Sequence, residues 1–361
     1  SIAKWSTVDS SWSPLNSIGL SKPQSGQFSS SVSALAANGS NVYVGGSFTA
    51  AGEVKASNIA RWNGTNSWYP LGSGMNGTVN AIAVSGNNAY VGGAFTTAGG
   101  VSANNIARWD GSKWYPLGSG VNGNAFAIAV SGADVYVVGS FTKAGGVNAN
   151  KIGRWNTNSN TWYALGGGVT DAVYDGVSAI AVGGANGADV YVGVITAYSR
   201  FLRKWNGSSW SVLGAFWPGG VNAIAVSGND VYVGGDFTRI ISQGGFDANR
   251  LARWNTSSKK WFALGSGVNN TVKAIYVSWS HVYVGGDFTT AGGVSANKIA
   301  ITTRDGSAWS TFGSGTNNTV LAIASLGNNR VDVYVGGRFS TAGGKPSTSF
   351  GVWHTPPPKD K

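Results

Sequence analysis

The chain has 361 residues, of which 42% are hydrophobic, only 11% are charged and 56 are glycine. Its hydrophobic content excludes a disordered chain, its glycines follow no collagen period, and no apolar run approaches the ~18 residues of a membrane span. It contains no cysteine, which excludes disulfides, zinc–thiolate centres and cysteine nucleophiles, and its formal net charge of +11 favours anionic partners.

Short β-branched and aromatic segments, each bounded by Gly, Asn or Ser, follow one another along the chain and predict an all-β protein. Four phrases recur in fixed order, and we name the predicted strands A to D after them. Strand A reads Val-x-Ala-Ile-Ala-Val, as at Val79–Val84, and strand B reads Val-Tyr-Val-Gly-Gly, as at Val42–Gly46. Strand C reads Ile-Ala-Arg-Trp, as at Ile59–Trp62, and strand D reads Trp-x-x-Leu, as at Trp68–Leu71. The A–B and C–D turns are rich in Asn, Asp and Gly, which suits hairpins.

The period of this unit predicts the architecture. The tryptophan of strand C recurs from Trp5 to Trp353 over seven intervals of about 50 residues, which fits kelch repeats better than the ~40–45 residues of WD40 repeats. We therefore predict a single seven-bladed β-propeller with four antiparallel strands per blade over residues 1–354. The Pro-rich segment 355–361 is expected to be a tail or linker.

Ring closure is predicted from the incomplete last unit. That unit ends at Trp353 with no following Trp-x-x-Leu, so an N-terminal strand around Trp12–Leu15 should supply its outermost strand. Two segments have the strand C sequence for this blade, Ile2–Trp5 and Phe350–Trp353, and the choice between them stays open.

The phrases resemble a known family. A diglycine after strand B, such as Gly234-Gly235, and two aromatics a few residues apart, such as Trp62 and Trp68, resemble the kelch superfamily across the whole chain. The Ala-Arg-Trp and Leu-Gly-Ser-Gly phrases are similar to secreted propellers of bacterial surface proteins and of the fungal cortical-marker family. The resemblance implies a propeller and no particular activity, because kelch propellers host unrelated functions. A surface rich in Gly, Ser, Thr and Asn favours an extracellular or cell-surface location.

The chemistry-bearing residues are few. Only two histidines, His281 and His354, and fourteen acidic residues are present, so we expect no metal centre, no Ser-His-Asp triad and no cofactor. The kelch resemblance raises copper oxidase chemistry, but this needs a Cys–Tyr cross-link, which the absence of cysteine excludes. Gly72–Gly77 matches G-x-G-x-x-G, but a strand follows it, so we expect a D–A link instead of a dinucleotide site. No nucleic-acid motif is found either, and no nucleic-acid partner is expected.

Repeated aromatic and basic residues have a structural interpretation. Fourteen of the sixteen tryptophans occupy the two repeat positions and should pack between blades, whereas Trp217 and Trp279 lie outside the pattern. A basic residue precedes the strand C tryptophan in six units: Lys4, Arg61, Arg108, Arg154, Lys204 and Arg253. These residues should pack along the neighbouring tryptophan, or they form a ring that binds polyanions.

Departures from the repeat cluster on the face that carries the B–C and D–A links. The B–C links at 197–201 and 239–247 and the D–A links at 171–175 and 215–218 are all unusual. The candidate ligand-binding residues are Trp217, Asp236, Arg239, Phe246, Asp287 and Arg338. The alternative is sequence drift without function.

The spacing of the acidic candidates argues against an enzyme. Asp236 and Asp287 occupy equivalent positions of adjacent blades, which should lie about 10 Å apart. A retaining glycosidase needs carboxylates about 5 Å apart and an inverting one about 6.5–9.5 Å. We expect a non-catalytic binding propeller with a carbohydrate or other surface polymer as ligand. The alternatives are a structural or protein-docking module of a larger surface protein and, as a minor one, a polysaccharide-acting enzyme.

Overall fold

The computed structural model is built entirely of strands and turns in the part of the chain that it describes. That part comprises residues 11–13, 20–21, 30–65, 67–169, 176–184, 188–328 and 330–354. Its main strands form seven antiparallel sheets, each with the four strands A to D, which confirms the seven-bladed all-β propeller. The described ranges contain no helix that could cross a membrane.

Strands A and B form the inner hairpin of each blade. Strand A spans Ser31–Asn38, Thr78–Ser85, Ala125–Ser131, Gly176–Gly183, Val221–Ser227, Val272–Val277 and Val320–Asn328 in blades 1 to 7. Strand B spans Asn41–Ser47, Asn88–Ala94, Asp134–Gly139, Asp189–Ile195, Asp230–Gly235, His281–Gly286 and Arg330–Gly337. Their side chains are mostly Val, Ile, Ala and Tyr, which suit strands that are covered on both faces by neighbouring blades.

Strands C and D complete each blade outward. Strand C spans Ile59–Trp62, Ile106–Trp109, Ile152–Asn156, Arg200–Trp205, Leu251–Asn255, Ile299–Thr303 and Phe350–His354. Strand D spans Trp68–Pro70, Trp114–Pro116, Thr161–Ala164, Trp210–Trp217, Lys260–Ala263 and Trp309–Thr311 in blades 1 to 6, and Ser11–Ser13 in blade 7.

The seventh blade joins the two ends of the chain. Trp12 pairs with Trp353, and Val333 pairs with the other side of Trp353, so strand C of this blade comes from the C-terminal segment. The alternative segment, Ile2–Trp5, lies outside the described residues. The Trp12 side chain is buried, and its indole Nε1 donates a hydrogen bond to the Phe312 carbonyl at 2.8 Å.

The A strands of all seven blades line one central channel, with a cavity of about 320 Å³. The residue that follows the first strand A valine, or its equivalent, faces this cavity in each blade: Ser33, Asn80, Phe126, Ser178, Asn222, Lys273 and Leu321. The diglycine of strand B allows the next blade to approach closely. A Cβ at Gly45 would collide with the side chain of Val79 in blade 2, and one at Gly46 with the Ser31 carbonyl of its own strand A.

Tryptophan hydrogen bonds link successive blades. In five blades the strand D indole donates to a carbonyl near the end of strand D in the preceding blade, as Trp114 does to Leu71 and Trp162 to Leu117, each at 2.8 Å. Strand C and strand D tryptophans pack against each other, with ring centroids 5.6 Å apart for Trp155 and Trp162. The repeat tryptophans within the described ranges therefore fill inter-blade space, as predicted.

The face with the B–C and D–A links is held by small hairpins and an asparagine bridge. In six of the seven blades the B–C link is a hairpin of two short strands, such as Thr97–Ala98 with Val101–Ser102 in blade 2. The Asn76 side chain accepts hydrogen bonds from the Thr96 and Thr97 amides and donates one to the Thr96 hydroxyl. The glycine-rich phrase that contains Asn76 is thus a D–A link and is followed by strand A, as expected.

Candidate functional site

The D–A link that enters blade 5 departs furthest from the repeat. Strand D of blade 4 continues through Trp217, beyond the four residues that its phrase predicts. Trp217 pairs with Arg239 of the blade 5 B–C hairpin, so blade 4 becomes a six-stranded sheet. The segment predicted as an irregular link is therefore an ordered strand, and the Trp217–Pro218 peptide bond that ends it is cis.

Strand pleating places the apolar side chains of this extension on opposite faces. Phe216 and Ile240 are buried in the core, whereas Trp217 is 61% exposed and Ile241 is 54% exposed. Arg239 forms an ion pair with Asp247 across the hairpin, with Nη1 and Oδ1 2.8 Å apart.

A further exposed aromatic lies at the same end of the sheet. The register pairs Arg200 with Phe216, so the turn that carries Tyr198 lies beside Trp217. Tyr198 is 91% exposed. We call the surface formed by Tyr198, Trp217, Arg239, Ile241 and Asp247 the Trp217 patch.

Two of the sequence candidates near this patch have structural contacts. The Asp236 carboxylate accepts a hydrogen bond from the Gly220 amide at 2.7 Å and so holds the end of the D–A link. Phe246 packs its partly buried ring against the core of blade 5. Of the predicted residues, the structure brings Trp217, Asp236, Arg239 and Phe246 together; Trp217, Asp236 and Arg239 are exposed, and Phe246 is half-buried.

The remaining two candidates belong to blades 6 and 7. The Thr319 hydroxyl donates to the Asp287 carboxylate, while the Arg338 amide donates to the Thr319 carbonyl at 3.0 Å. Lys298 Nζ donates to the Asp287 carbonyl at 2.9 Å. Asp287 and Arg338 therefore meet at the D–A link of blade 7, apart from the Trp217 contacts. The predicted link at 171–175 lies outside the described residues.

The short B–C link of blade 4 also differs from its prediction. Arg200 and Phe201 belong to strand C, and the link itself covers residues 196–199. The Arg200 guanidinium donates to the Thr196 carbonyl at 3.1 Å and closes this turn. Sequence reasoning did not identify Tyr198 as a candidate, although its position at the centre of a shortened turn indicates exposure.

The basic residues of strand C have defined partners. Four guanidinium groups lie over the aromatic ring that follows the strand D tryptophan, at 4.6–4.7 Å from its centroid: Arg61 on Tyr69, Arg108 on Tyr115, Arg154 on Tyr163 and Arg253 on Phe262. Arg154, Lys204 and Arg253 also pair with the aspartate that begins strand B. We expected each basic residue to pack along the neighbouring tryptophan, and this prediction was wrong. Because the side chains of strand C alternate, each arginine faces the side opposite its tryptophan. Lys4 lies outside the described residues.

Titratable clusters are sparse. Within the described ranges, no three His, Asp or Glu side chains converge so as to hold a metal ion. His354 instead pairs with Asp332, with Nδ1 and Oδ1 2.7 Å apart, at the outer part of blade 7. His281 lies at the start of strand B in blade 6, and its Nδ1 is 2.7 Å from the Ser280 hydroxyl.

Sequence comparison identifies the family. A sequence model of the Rax2 C-terminal beta propeller domain matches residues 15–99 and 69–217, together more than half of the chain. The chain belongs to the Rax2 C-terminal propeller family. Rax2 is a fungal cortical marker, so the resemblance to the fungal cortical-marker family is confirmed. The matched residues include the Trp217 strand of this Rax2-family propeller. No curated protein sequence matches the chain.

Solved structures share the fold of this Rax2-family chain. The computationally designed Ika8 protein is 16% identical, with 94% of this chain and 100% of that chain covered and a TM-score of 0.56. The WD40 beta propeller domain of Doa1 is 12% identical, with 96% and 97% covered and a TM-score of 0.61. The extracellular domain of the one component system BT4673 from B. thetaiotaomicron is 12% identical, with 94% and 40% covered and a TM-score of 0.55. At these identities the likeness shows the propeller fold alone.

Proposed function

We propose that this Rax2-family propeller is a non-catalytic binding module of the extracellular space or cell surface, and that it binds a carbohydrate or another surface polymer. The observation that carries the proposal is the exposed indole of Trp217, which two paired strands hold in place. Family membership and the low content of charged residues support the location.

The chemistry of the Trp217 patch suits a saccharide. A fixed indole offers a flat apolar face to the C–H groups of a sugar ring, while neighbouring polar groups bind its hydroxyls. Arg239 and Asp247 supply a donor and an acceptor beside that face. Their ion pair is 46% and 79% exposed, so it adds little to stability and both groups remain accessible to a ligand.

The acidic residues of this face support binding over hydrolysis. Asp236 holds Gly220 and Asp287 accepts from Thr319, so both carboxylates already stabilise D–A links. A glycosidase needs one carboxyl as acid and a second as base or nucleophile, both free to reach the substrate. The proposed function is therefore recognition without bond cleavage.

A protein-docking role is the second candidate, and the exposed Tyr198 and Ile241 favour it. Aromatic and arginine side chains are enriched among the residues that contribute most to protein–protein binding. A protein partner would contact a larger area than a sugar does. Substitution of Tyr198 or of Ile241 would therefore also weaken its binding.

Substitution of Trp217 tests the proposal, and the chain offers a matched control. Trp279 is 92% exposed and lies in the A–B turn of blade 6, on the opposite face. Retention should be measured on immobilised neutral polysaccharides (laminarin, mannan, dextran) and on heparin, alongside thermal unfolding. We expect Trp217→Ala to reduce retention about 5- to 30-fold, which corresponds to the loss of one stacking contact of about 1–2 kcal/mol, and Trp279→Ala to leave it unchanged.

Three results would contradict the proposal. Equal retention of the two variants would show that the Trp217 patch does not bind the polymer. A fall of several degrees in the unfolding temperature of Trp217→Ala, without retention of the parent on any polymer, would make the residue structural. A fall in polysaccharide viscosity during incubation would reveal an enzyme.

A further inference from the structure

Blade 6 lacks the side-chain cluster that fills the outer part of blades 3 and 5. In blade 5, Asp230 begins strand B, Arg253 lies on strand C and Phe262 on strand D. Arg253 is 3.1 Å from the Asp230 carboxylate, and its guanidinium lies over the Phe262 ring at 4.7 Å. Blade 3 repeats the arrangement with Asp134, Arg154 and Tyr163.

The register identifies the residues that replace this cluster in blade 6. Arg253 pairs with Tyr232 on one side and with Phe262 on the other. Ile301 takes the equivalent place between Tyr283 and Ser310. His281, the first residue of strand B, replaces the aspartate. A sec-butyl group thus replaces the guanidinium, a hydroxymethyl group replaces the phenyl ring, and an imidazole replaces the carboxylate. The first two of these groups are much smaller than those they replace.

A cavity of about 280 Å³ lies where the larger groups would be. His281, Ile301, Ser310, Thr311 and Phe312 line it from blade 6, together with Trp353 of blade 7. Phe312 and Trp353 are buried and pack edge to face, with centroids 5.2 Å apart. The aromatic wall is therefore fixed by the core, and the volume is just below the ~300–1,000 Å³ typical of pockets for drug-sized ligands.

The lining selects a neutral ligand with hydroxyl groups. None of the described residues that line the cavity is Lys, Arg, Asp or Glu. The lining includes the hydroxyl-bearing residues Thr303, Ser310 and Thr311 as well as the aromatic and aliphatic carbon of Phe312, Trp353 and Ile301. His281 Nδ1 is engaged with Ser280, so Nε2 is the ring nitrogen left for a ligand. A charged ligand would lose hydration without gaining a counter-ion.

We infer that this cavity, the blade 6 pocket, is a second ligand site, which binds one neutral hexopyranose unit with its ring against Phe312 and Trp353. The site is built from residues outside the Trp217 patch and does not rest on the function proposed for that patch. A ligand of about a dozen non-hydrogen atoms should bind with a Kd of about millimolar.

Repair of the repeat provides a test that keeps the fold. The triple variant His281→Asp, Ile301→Arg and Ser310→Tyr rebuilds the cluster of blade 3 and fills the pocket. Saturation-transfer NMR with the methyl glycosides of glucose, galactose, mannose and N-acetylglucosamine, and with phenol as a ring that lacks the sugar hydroxyls, measures binding to the full chain. We expect at least one glycoside to bind the parent with saturation at millimolar concentration. The repaired variant should unfold at the same or a higher temperature and lose that signal.

Additional variants make each outcome decisive. If the triple variant does not fold, Ser310→Tyr alone fills part of the pocket and should weaken the glycoside signal at least about fivefold. Trp217→Ala should keep the signal. Loss of the signal in Trp217→Ala, its persistence in a folded repaired variant, or binding of phenol without any glycoside would each overturn the inference. Absence of binding to the parent would do the same.

Discussion

At the scale of single residues, position in the repeat separates structural side chains from those available to a ligand. Arg253 occurs at a repeat position and contacts Asp230 and Phe262. Trp217 occurs outside the repeat and is exposed. The sequence could predict this division because a residue repeated in many blades meets the same neighbours in each. It could not predict the partners themselves, since Asp230 and Phe262 come from two other strands.

Arg253 should therefore contribute to stability and not to polyanion binding. Its side chain is 20% exposed and its Asp230 partner 16% exposed, so Arg253→Gln removes a partly buried ion pair and a cation–π contact. We expect the free energy of unfolding to fall by about 1–2 kcal/mol and retention on heparin to stay nearly constant.

The exposed Arg338 supplies the control for that measurement. Arg338→Gln should leave the unfolding free energy within about 0.5 kcal/mol of the parent value. A large loss of heparin retention in Arg253→Gln at constant stability, with a weaker salt dependence, would instead assign the strand C arginines to polyanion binding.

At the scale of elements, the repeated phrases predicted strands A to C closely and strand D less well. The Trp-x-x-Leu phrase covers only the first half of the blade 4 strand that ends at Trp217. Its second half forms because the unusually long blade 5 hairpin, Arg239–Asp247, offers it a hydrogen-bonding edge. Such an edge depends on a loop of the next blade, which local propensity cannot reveal.

The buried tyrosines of strand B make the free energy of unfolding depend on pH. Burial raises the pKa of one tyrosine in each blade: Tyr43, Tyr90, Tyr136, Tyr191, Tyr232, Tyr283 and Tyr334. A raised folded-state pKa means that the neutral phenol is favoured in the fold. Its stabilising contribution is complete below the unfolded-state pKa of about 10 and is lost as pH rises through the folded-state values.

We expect the free energy of unfolding, from denaturant titrations at pH 8 to 12, to be level up to about pH 10 and to fall steeply above it. Absorbance at 295 nm should show part of the tyrosinate signal appearing only with unfolding. A free energy that stays level to pH 11.5, or ionisation of all tyrosines in the folded protein near pH 10, would show that these phenols are not buried.

At the scale of the whole molecule, the repeat period was sufficient to predict the number of blades and their order. The N-terminal strand at Trp12 was predicted because the last unit lacks strand D, and the pairing of Trp12 with Trp353 decides that strand C is C-terminal. The blade 6 pocket was not predicted. Ile301 and Ser310 look like conservative drift in the sequence, and only the register shows that both face one space.

We propose that this Rax2-family propeller binds its ligand on the B–C/D–A face of blades 4 and 5, at the Trp217 patch. The most direct test is hydrogen–deuterium exchange of the full chain with and without the polysaccharide that best retains it. We expect slower exchange at residues 196–201, 215–218 and 239–247, with the A–B turns of blades 1 to 3, on the opposite face and away from blade 6, unchanged. Protection confined to other blades or to the opposite face, or no protection by any polymer that retains the chain, would contradict it.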